Sequence, residues 1–321
     1  MKTQLLNPTE IKTAAGIIKR GGVVAFPTET VYGLGADATN QSAVEKIFDV
    51  KGRPAQNPLI VHFESLEDLF KRIPDLGDNT KRVLLAIKEA LTVVIPRPDW
   101  IPGVVSAGLN TVAVRVPACE FAQNFIKACG VTLVAPSANT SGRPSPTQWE
   151  HVSQDLEGKV DAIFKCNPTR IGVESTVVKV LPDKIQVLRL GGTCTLQLEK
   201  ILPVEIICGS AESPGTRFKH YAPACKMVVA KFGPDMTARI KKFIKNKNAT
   251  VIFWRGNADD FYPSSPIHLG KTLAEITRNL YSAIRKAEKG RDLIVCEGFP
   301  ETPEYETLNE RLARACEGNF I

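Results

Sequence analysis

Apolar, β-branched runs alternate with segments of helical spacing along nearly the whole chain, and they do so in two successive series. In the first, the strand-like runs are VVAFPT (23–28), PLIVHF (58–63), LTVVIP (91–96), TVAVRVP (111–117), VTLVAP (131–136), STVVKV (175–180) and IQVLRL (185–190). Between them lie helical patterns at 41–50, 81–91 and 121–130. The last two runs flank Pro182-Asp183 as a hairpin does, so the expected sheet contains antiparallel as well as parallel pairs. A second series begins with MVVAKF (227–232), TVIFW (250–254) and LIVCEGF (293–299). Its main helix places Leu273, Ile276, Leu280 and Ile284 on one stripe. The stretch 209–223, GSAESPGTRFKHYAP, has no apolar period and is rich in Gly, Ser and Pro, as a linker is. The expectation is an α/β chain: an open, twisted mixed sheet with helices over residues 1–205, a connecting segment at 206–224, and a smaller α/β domain over 225–321.

Charge and cysteine usage narrow the function classes. The net charge is +7, but residues 206–321 carry 18 Lys+Arg against 13 Asp+Glu, which leaves 23 against 21 in residues 1–205. The first domain is therefore nearly neutral, and aromatic residues do not interleave with its basic ones as they do in a nucleic-acid platform. Direct RNA binding is expected to be weak or absent. The eight cysteines form no C-x-x-C pair and have no histidine at zinc spacing, so they read as reduced thiols, mostly buried. No apolar run approaches the roughly 18 residues of a membrane span. The first 22 residues are broken by Asn7, Pro8, Glu10 and Lys12, unlike a signal peptide. A cytoplasmic protein is expected.

Several common catalytic devices are missing. The chain has no G-x-x-x-x-G-K-[ST] loop, no H-E-x-x-H and no G-x-S-x-G, and its four histidines are isolated. Instead, polar groups cluster where strands end: FPTETVYGLGAD (26–37), KGRPAQNPLIVHF (51–63), APSANTSGRPSPT (135–147) and GVESTVV (172–178). Ligands of open α/β sheets sit beyond such strand ends. Lys51 and Arg53 are two residues apart, and Pro54 disfavours helix at Arg53, so an extended chain would project both cations to one side. With Asn57 nearby they suit a polyphosphate. Arg115 lies inside an apolar strand, where a charge needs a partner: a bound carboxylate or phosphate, or a structural ion pair. Arg189 ends a strand before two glycines and carries the same ambiguity. The loop after residue 136 offers Ser137, Asn139, Thr140, Ser141, Ser145 and Thr147, donors that bind phosphate oxygens without a Walker loop.

Taken in order, these segments resemble the threonylcarbamoyl-AMP synthases of the YrdC type in their longer, two-domain form. The likeness extends through SPGTRFKHYAP and LYSAIRKAEKGRDLIVCEGFP. It implies a YrdC/RibB-like sheet followed by a Rossmann-like domain. It also implies nucleotidyl transfer from ATP to threonine and bicarbonate, the first step of threonylcarbamoyladenosine formation in tRNA. The family's Lys, Arg, Ser, Asn tetrad falls on Lys51, Arg53, Ser137 and Asn139. ATP would be held by Arg53, Asn57, Thr111, Ser137, Ser145, Arg189 and Tyr221. Threonine would be held by Thr30, His62, Arg115, the backbone of Ala135, and Ser175. Mg2+ would arrive on ATP with no protein ligands, and no structural metal is expected. A tRNA threonylcarbamoyl transferase would consume the product, and residues 206–224 would close over the nucleotide. The competing reading is an RNA-binding module of the same fold. The chain departs from the family's motifs at IKEALTVVI (87–95) and KCNPTRI (165–171).

Overall fold

The computed structural model describes residues 2–215, 220–262 and 264–321. It divides into two compact units. One comprises residues 1–141, 146–170 and 174–218; the other comprises 142–145, 171–173 and 219–321. The part of the linker at 216–219 lies outside the described residues.

The first unit is built on strands β1 (Gln4–Leu6), β2 (Val24–Pro27), β3 (Tyr32–Asp37), β4 (Ile60–His62), β5 (Leu91–Pro96), β6 (Thr111–Arg115), β7 (Leu133–Val134), β8 (Ala162–Phe164), β9 (Thr176–Val180), β10 (Ile185–Arg189) and β11 (Val204–Ile206). They form one mixed sheet in the order β1-β8-β2-β3-β7-β4-β6-β5-β9-β10-β11. The expected hairpin is there: β9 and β10 pair antiparallel, with a register shift between Val187 and Arg189. The helix expected at 81–91 runs instead over Asp78–Ala86. Ile87 turns to extended backbone, with φ −101° and ψ 105°, which ends the helical path before β5 begins.

Side chains alternate across a strand, so the two sheet faces can be read separately. Val61, Val93, Ile95, Val112, Val114, Val178 and Val187 lie on one face, in a core shared with Val44, Ile47 and Phe48 of helix Gln41–Lys51 and with Val152 and Leu156. Burying each such valine or leucine is worth about 1.5–3 kcal/mol, so this face carries most of the unit's cohesion. The opposite face is covered by helices Ile11–Lys19 and Glu120–Cys129 only toward β2, β7 and β8, through Phe26, Phe125 and Phe164. Over β4, β6, β5, β9 and β10 that face bears a small apolar cluster of strand residues alone: Ile60, Val94, Ala113, Val177 and Leu188. This strip is where the polar strand-end residues converge.

The second unit has strands β12 (Lys226–Ala230), β13 (Ala249–Phe253), β14 (Ile267–His268) and β15 (Leu293–Glu297), in the order β12-β15-β13-β14. Every pair is parallel. Helix Leu273–Ala287 starts at a capping box, with Thr272 and Glu275 bonding each other's backbone N–H. Of the predicted stripe, Ile276, Leu280 and Ile284 are buried and Leu273 is only partly so. All the cysteines are free; Cys129, Cys296 and Cys316 are buried, four more are partly covered, and Cys208 is exposed.

Candidate active site

At one end of the first sheet's strip, which is buried without a helix over it, stands a buried cation. Arg115 closes β6 and is 4% exposed. Its Nη2 donates to Glu29 Oε1 at 2.7 Å and to Thr30 Oγ1 at 2.7 Å. Of the alternatives the sequence left for Arg115, the structure supplies an internal ion pair, with Glu29 also buried. Burial raises the Glu29 carboxyl's pKa, but Arg115's charge and hydrogen bond outweigh that and hold it below the usual carboxylate range. Ala90 N–H also donates to Glu29 Oε1 at 3.2 Å, which fixes the carboxylate from a second side.

His62 is the register partner of Arg115 on the neighbouring parallel strand, so the two side chains share the strip's face. Burial, with the Arg115 charge adding to it, pushes the imidazole pKa down to about 3. The ring is therefore neutral at physiological pH. Its Nδ1 lies 3.1 Å from Ile60 O, a carbonyl that can only accept. The proton accordingly sits on Nδ1, and Nε2 keeps an acceptor lone pair. Thr92 Oγ1 and Ser175 Oγ lie 2.7 Å apart, both fully buried. Arg189 donates to Ser175 O at 2.7 Å and to Pro214 O at 3.0 Å, so the strand-ending arginine braces the Ser175 turn.

The second cationic group differs from its sequence expectation. Lys51 is the last residue of helix Gln41–Lys51, and Gly52 caps that helix in the left-handed region with φ 59°. Lys51 and Arg53 are thus not two positions of an extended chain; the helix runs one residue further than the QSAVEKIFDV pattern and Gly52 turns it. Lys51 is 2% exposed, and its Nζ donates to Ser137 O and Asn139 O, both at 2.5 Å. Ser141 N–H returns a bond to Lys51 O at 2.8 Å. The loop after β7 is pinned through Gly33, which bridges Ser137, and through Ala138 N–H to Tyr32 O at 2.8 Å. Arg53 folds back to donate to Asn57 O at 3.1 Å and Pro58 O at 2.6 Å. Segment 135–139 joins the two groups: Ala135 N–H bonds Ile60 O at 3.0 Å beside His62, and Ser137 and Asn139 hold Lys51.

The first unit thus carries Thr30, Lys51, Arg53, Asn57, His62, Thr111, Arg115, Ala135, Ser137, Asn139, Ser175 and Arg189. Ser145 and Tyr221 belong to the second. There Tyr221 takes φ 65°, stacks on Tyr281 at 5.4 Å between centroids, and lies under the Arg311 guanidinium at 4.9 Å. Sequence reading passed over Glu29, Thr92, Lys179 and Glu212. An acid between two threonines directly after a strand was the available signal for Glu29. Glu212 sits in a stretch that offers no period to read.

The chain is similar to known proteins along nearly its whole length. Residues 16–191 match the Sua5/YciO/YrdC family model, described as "Telomere recombination". Residues 194–316 match the model "Threonylcarbamoyl-AMP synthase, C-terminal domain". The chain is 39% identical to the threonylcarbamoyl-AMP synthase of Pyrococcus abyssi, over 95% of this chain and 94% of that one. It is 37% identical to that of Bacillus subtilis, over 98% and 95%. A crystal structure of P. abyssi Sua5 complexed with L-threonine superposes with a TM-score of 0.91 at 36% identity, covering 99% of each chain. With both parts of the chain matched and the whole fold shared, this protein belongs to the Sua5 family of threonylcarbamoyl-AMP synthases.

Proposed function

We propose that this strip of the first sheet makes threonylcarbamoyl-AMP from L-threonine, bicarbonate and ATP, releasing pyrophosphate and water. The observation that carries the reading is a pair of buried cations linked by the first unit's strands: residues 135–139 hold Lys51 through Ser137 O and Asn139 O and bond Ile60 O on β4, where His62, two residues on, is the register partner of Arg115. The threonine carboxylate docks on Arg115 among Thr30, His62, Ser175 and the Ala135 backbone. The amine takes up bicarbonate carbon to give a carbamate, whose oxygen attacks the α-phosphorus of ATP as pyrophosphate departs. Lys51 and Arg53, with Ser137 and Asn139, face the charge that develops there, and fixed cations in a dry site stabilise it well. Orienting the bound reactants supplies much of the remaining acceleration.

Supporting the amino-acid assignment, the P. abyssi relative was crystallised with L-threonine. We assign ATP to Arg53, Asn57, Thr111, Ser137 and Arg189, and, on the motif match, to Ser145 and Tyr221. Mg2+ is assigned to the triphosphate itself, kept by phosphate oxygens and water. Among the described residues no group of three or more His, Cys, Asp or Glu is placed to hold a metal. We read 1–205 as the catalytic domain, 206–224 as the connecting segment and 225–321 as the C-terminal domain. The product would pass in the cytoplasm to a tRNA threonylcarbamoyl transferase, with little direct tRNA binding by this chain. Among the described residues no helix is long and apolar enough to cross a membrane.

The test is product analysis after incubation with ATP, bicarbonate and each amino acid in turn. Threonine alone should yield an acyl adenylate with stoichiometric pyrophosphate. A salt-sensitive RNA complex with no nucleotide turnover would favour the RNA-binding reading instead.

A further inference from the structure

We infer that Lys179, with Thr111 and Asn57, forms a subsite for the β- and γ-phosphates that leave as pyrophosphate, and that the Glu212 carboxylate fills it in the unliganded protein. The inference rests on the nucleotidyl-transfer reading above.

Register places this subsite. Ile60 pairs with Ala113, Ala113 with Val94, and Val94 with Lys179, so these four form one row across β4, β6, β5 and β9 on the strip's face. Thr111 lies two residues before Ala113 and Asn57 three before Ile60, at the end of the strip away from Arg115. Arg115 is four residue steps along the strand from Thr111, about 13 Å. Arg53 donates to Asn57 O, so the proposed phosphate-binding arginine is tied to this same end. A triphosphate whose α-phosphorus meets an amino acid held at Arg115 must send its other phosphates away from that clamp, toward this end.

The chemistry of the groups points the same way. Lys179 Nζ donates to both Glu212 oxygens at 3.0 Å, and Thr111 Oγ1 donates to Glu212 Oε1 at 3.0 Å. Two residues on, Pro214 O accepts from Arg189 at 3.0 Å, and Gly215 N–H donates to Asn57 Oδ1 at 3.0 Å. Asn57 is 2% exposed, yet its Nδ2, a donor, has no hydrogen-bond partner. A lysine and a hydroxyl therefore meet around one carboxylate that is supplied by a short segment rather than by the sheet, and, three residues on, the same segment reaches Asn57, whose amide N–H is orphaned. The Glu212 oxygens stand in for phosphate oxygens, which would also satisfy Asn57 Nδ2. Buried donors lacking an acceptor are costly, which favours an anion that completes the set.

The experiment is calorimetric titration of the full chain with inorganic pyrophosphate in metal-free buffer, for wild type, Lys179→Met, Lys179→Arg and Glu212→Gln. Losing one charge-assisted donor should weaken pyrophosphate binding about tenfold or more in Lys179→Met. Lys179→Arg should recover most of it, and Glu212→Gln, which removes the competing carboxylate, should bind more tightly than wild type. A thermal melt checks that each variant is folded. Equal binding by wild type and Lys179→Met, no pyrophosphate binding by either, or weaker binding by Glu212→Gln would each overturn the inference. Threonine-dependent pyrophosphate release by wild type is measured separately, so failure of the catalytic reading and failure of this subsite are told apart.

Discussion

Arg115 Nη2 lies 2.7 Å from Glu29 Oε1, with both side chains almost sealed from water. The pair makes the amino-acid end of the site electrically neutral, matched to a zwitterion rather than to an anion. Glu29→Gln keeps the shape but leaves the guanidinium uncompensated. Breaking one side of a buried pair costs about 3–5 kcal/mol, so a stability loss of that order is expected in urea denaturation. The threonine KM should rise while the ATP KM holds. N-acetyl-threonine, which has no ammonium, should inhibit the variant more strongly than the wild type. An unchanged ratio of threonine to N-acetyl-threonine affinity would show that Glu29 acts only on stability.

Lys51 yields a second prediction, on protons. Burial, followed by the nearby Arg53 charge, holds its pKa well below the usual lysine range. A neutral amine would spend both hydrogens on Ser137 O and Asn139 O and turn a lone pair toward the ligand. Only the ammonium has a third N–H for a phosphate oxygen, so bound ATP should raise this lowered pKa, and proton uptake on binding should grow as pH rises. Titration calorimetry in buffers of different ionisation enthalpy should report net proton uptake that is absent in Lys51→Met. Uptake of the same size in both proteins would place the proton elsewhere.

The two prediction targets differ in how far the sequence reveals them. Seven of the first sheet's eleven strands, their hairpin, and the positions of Arg115 and Ser137 follow from local pattern, because period two and turn residues are written in consecutive positions; β1, β3, β8 and β11 have no such run and are set by pairing with their neighbours. The Glu29–Arg115 pair spans 86 residues, and nothing local announces which acid reaches which base. Lys51 was legible as a cation near phosphate, but its environment was misread. Gly52 takes a left-handed cap that lets Pro54 follow a helix closely, where Pro alone had suggested extended chain. The segment 212–215 was visible as non-periodic only; that its carboxylate and carbonyl meet Lys179, Thr111 and Arg189 depends on tertiary placement.

The neutral His62 carries a pH signature. Its folded pKa is pushed down to about 3, below the roughly 6.5 of an unfolded histidine. Between those values the unfolded chain binds a proton that the native one refuses. Its contribution to stability is therefore present above about pH 6.5 and is lost as pH falls toward 3, by at most about 1.4 kcal/mol per pH unit. His62→Gln should flatten the melting temperature between pH 4 and 6 relative to wild type. The same variant tests Nε2 as acceptor for the substrate hydroxyl. If that bond exists, discrimination of threonine over valine should fall about tenfold, while a wild-type ratio would remove His62 from the specificity pocket.

Gly191 offers the narrowest test, because the constraint there is space. A Cβ at this position would lie 2.3 Å from Ser175 C, 2.4 Å from Thr176 N and 2.5 Å from Glu174 O, all backbone atoms. Gly192 N–H bonds Glu174 O at 2.8 Å, so the two chains are held at this separation. Gly191→Ala must therefore push the Ser175 turn away from the sheet, loosening the bonds of Ser175 to Thr92 and Arg189. Overpacking of this kind costs about 1–3 kcal/mol, which a stable domain survives. The expected result is a folded protein with a lower melting temperature, a sharply raised threonine KM and pyrophosphate binding close to wild type. Threonine and pyrophosphate affinities falling together would mean that the turn supports the whole strip rather than its amino-acid end.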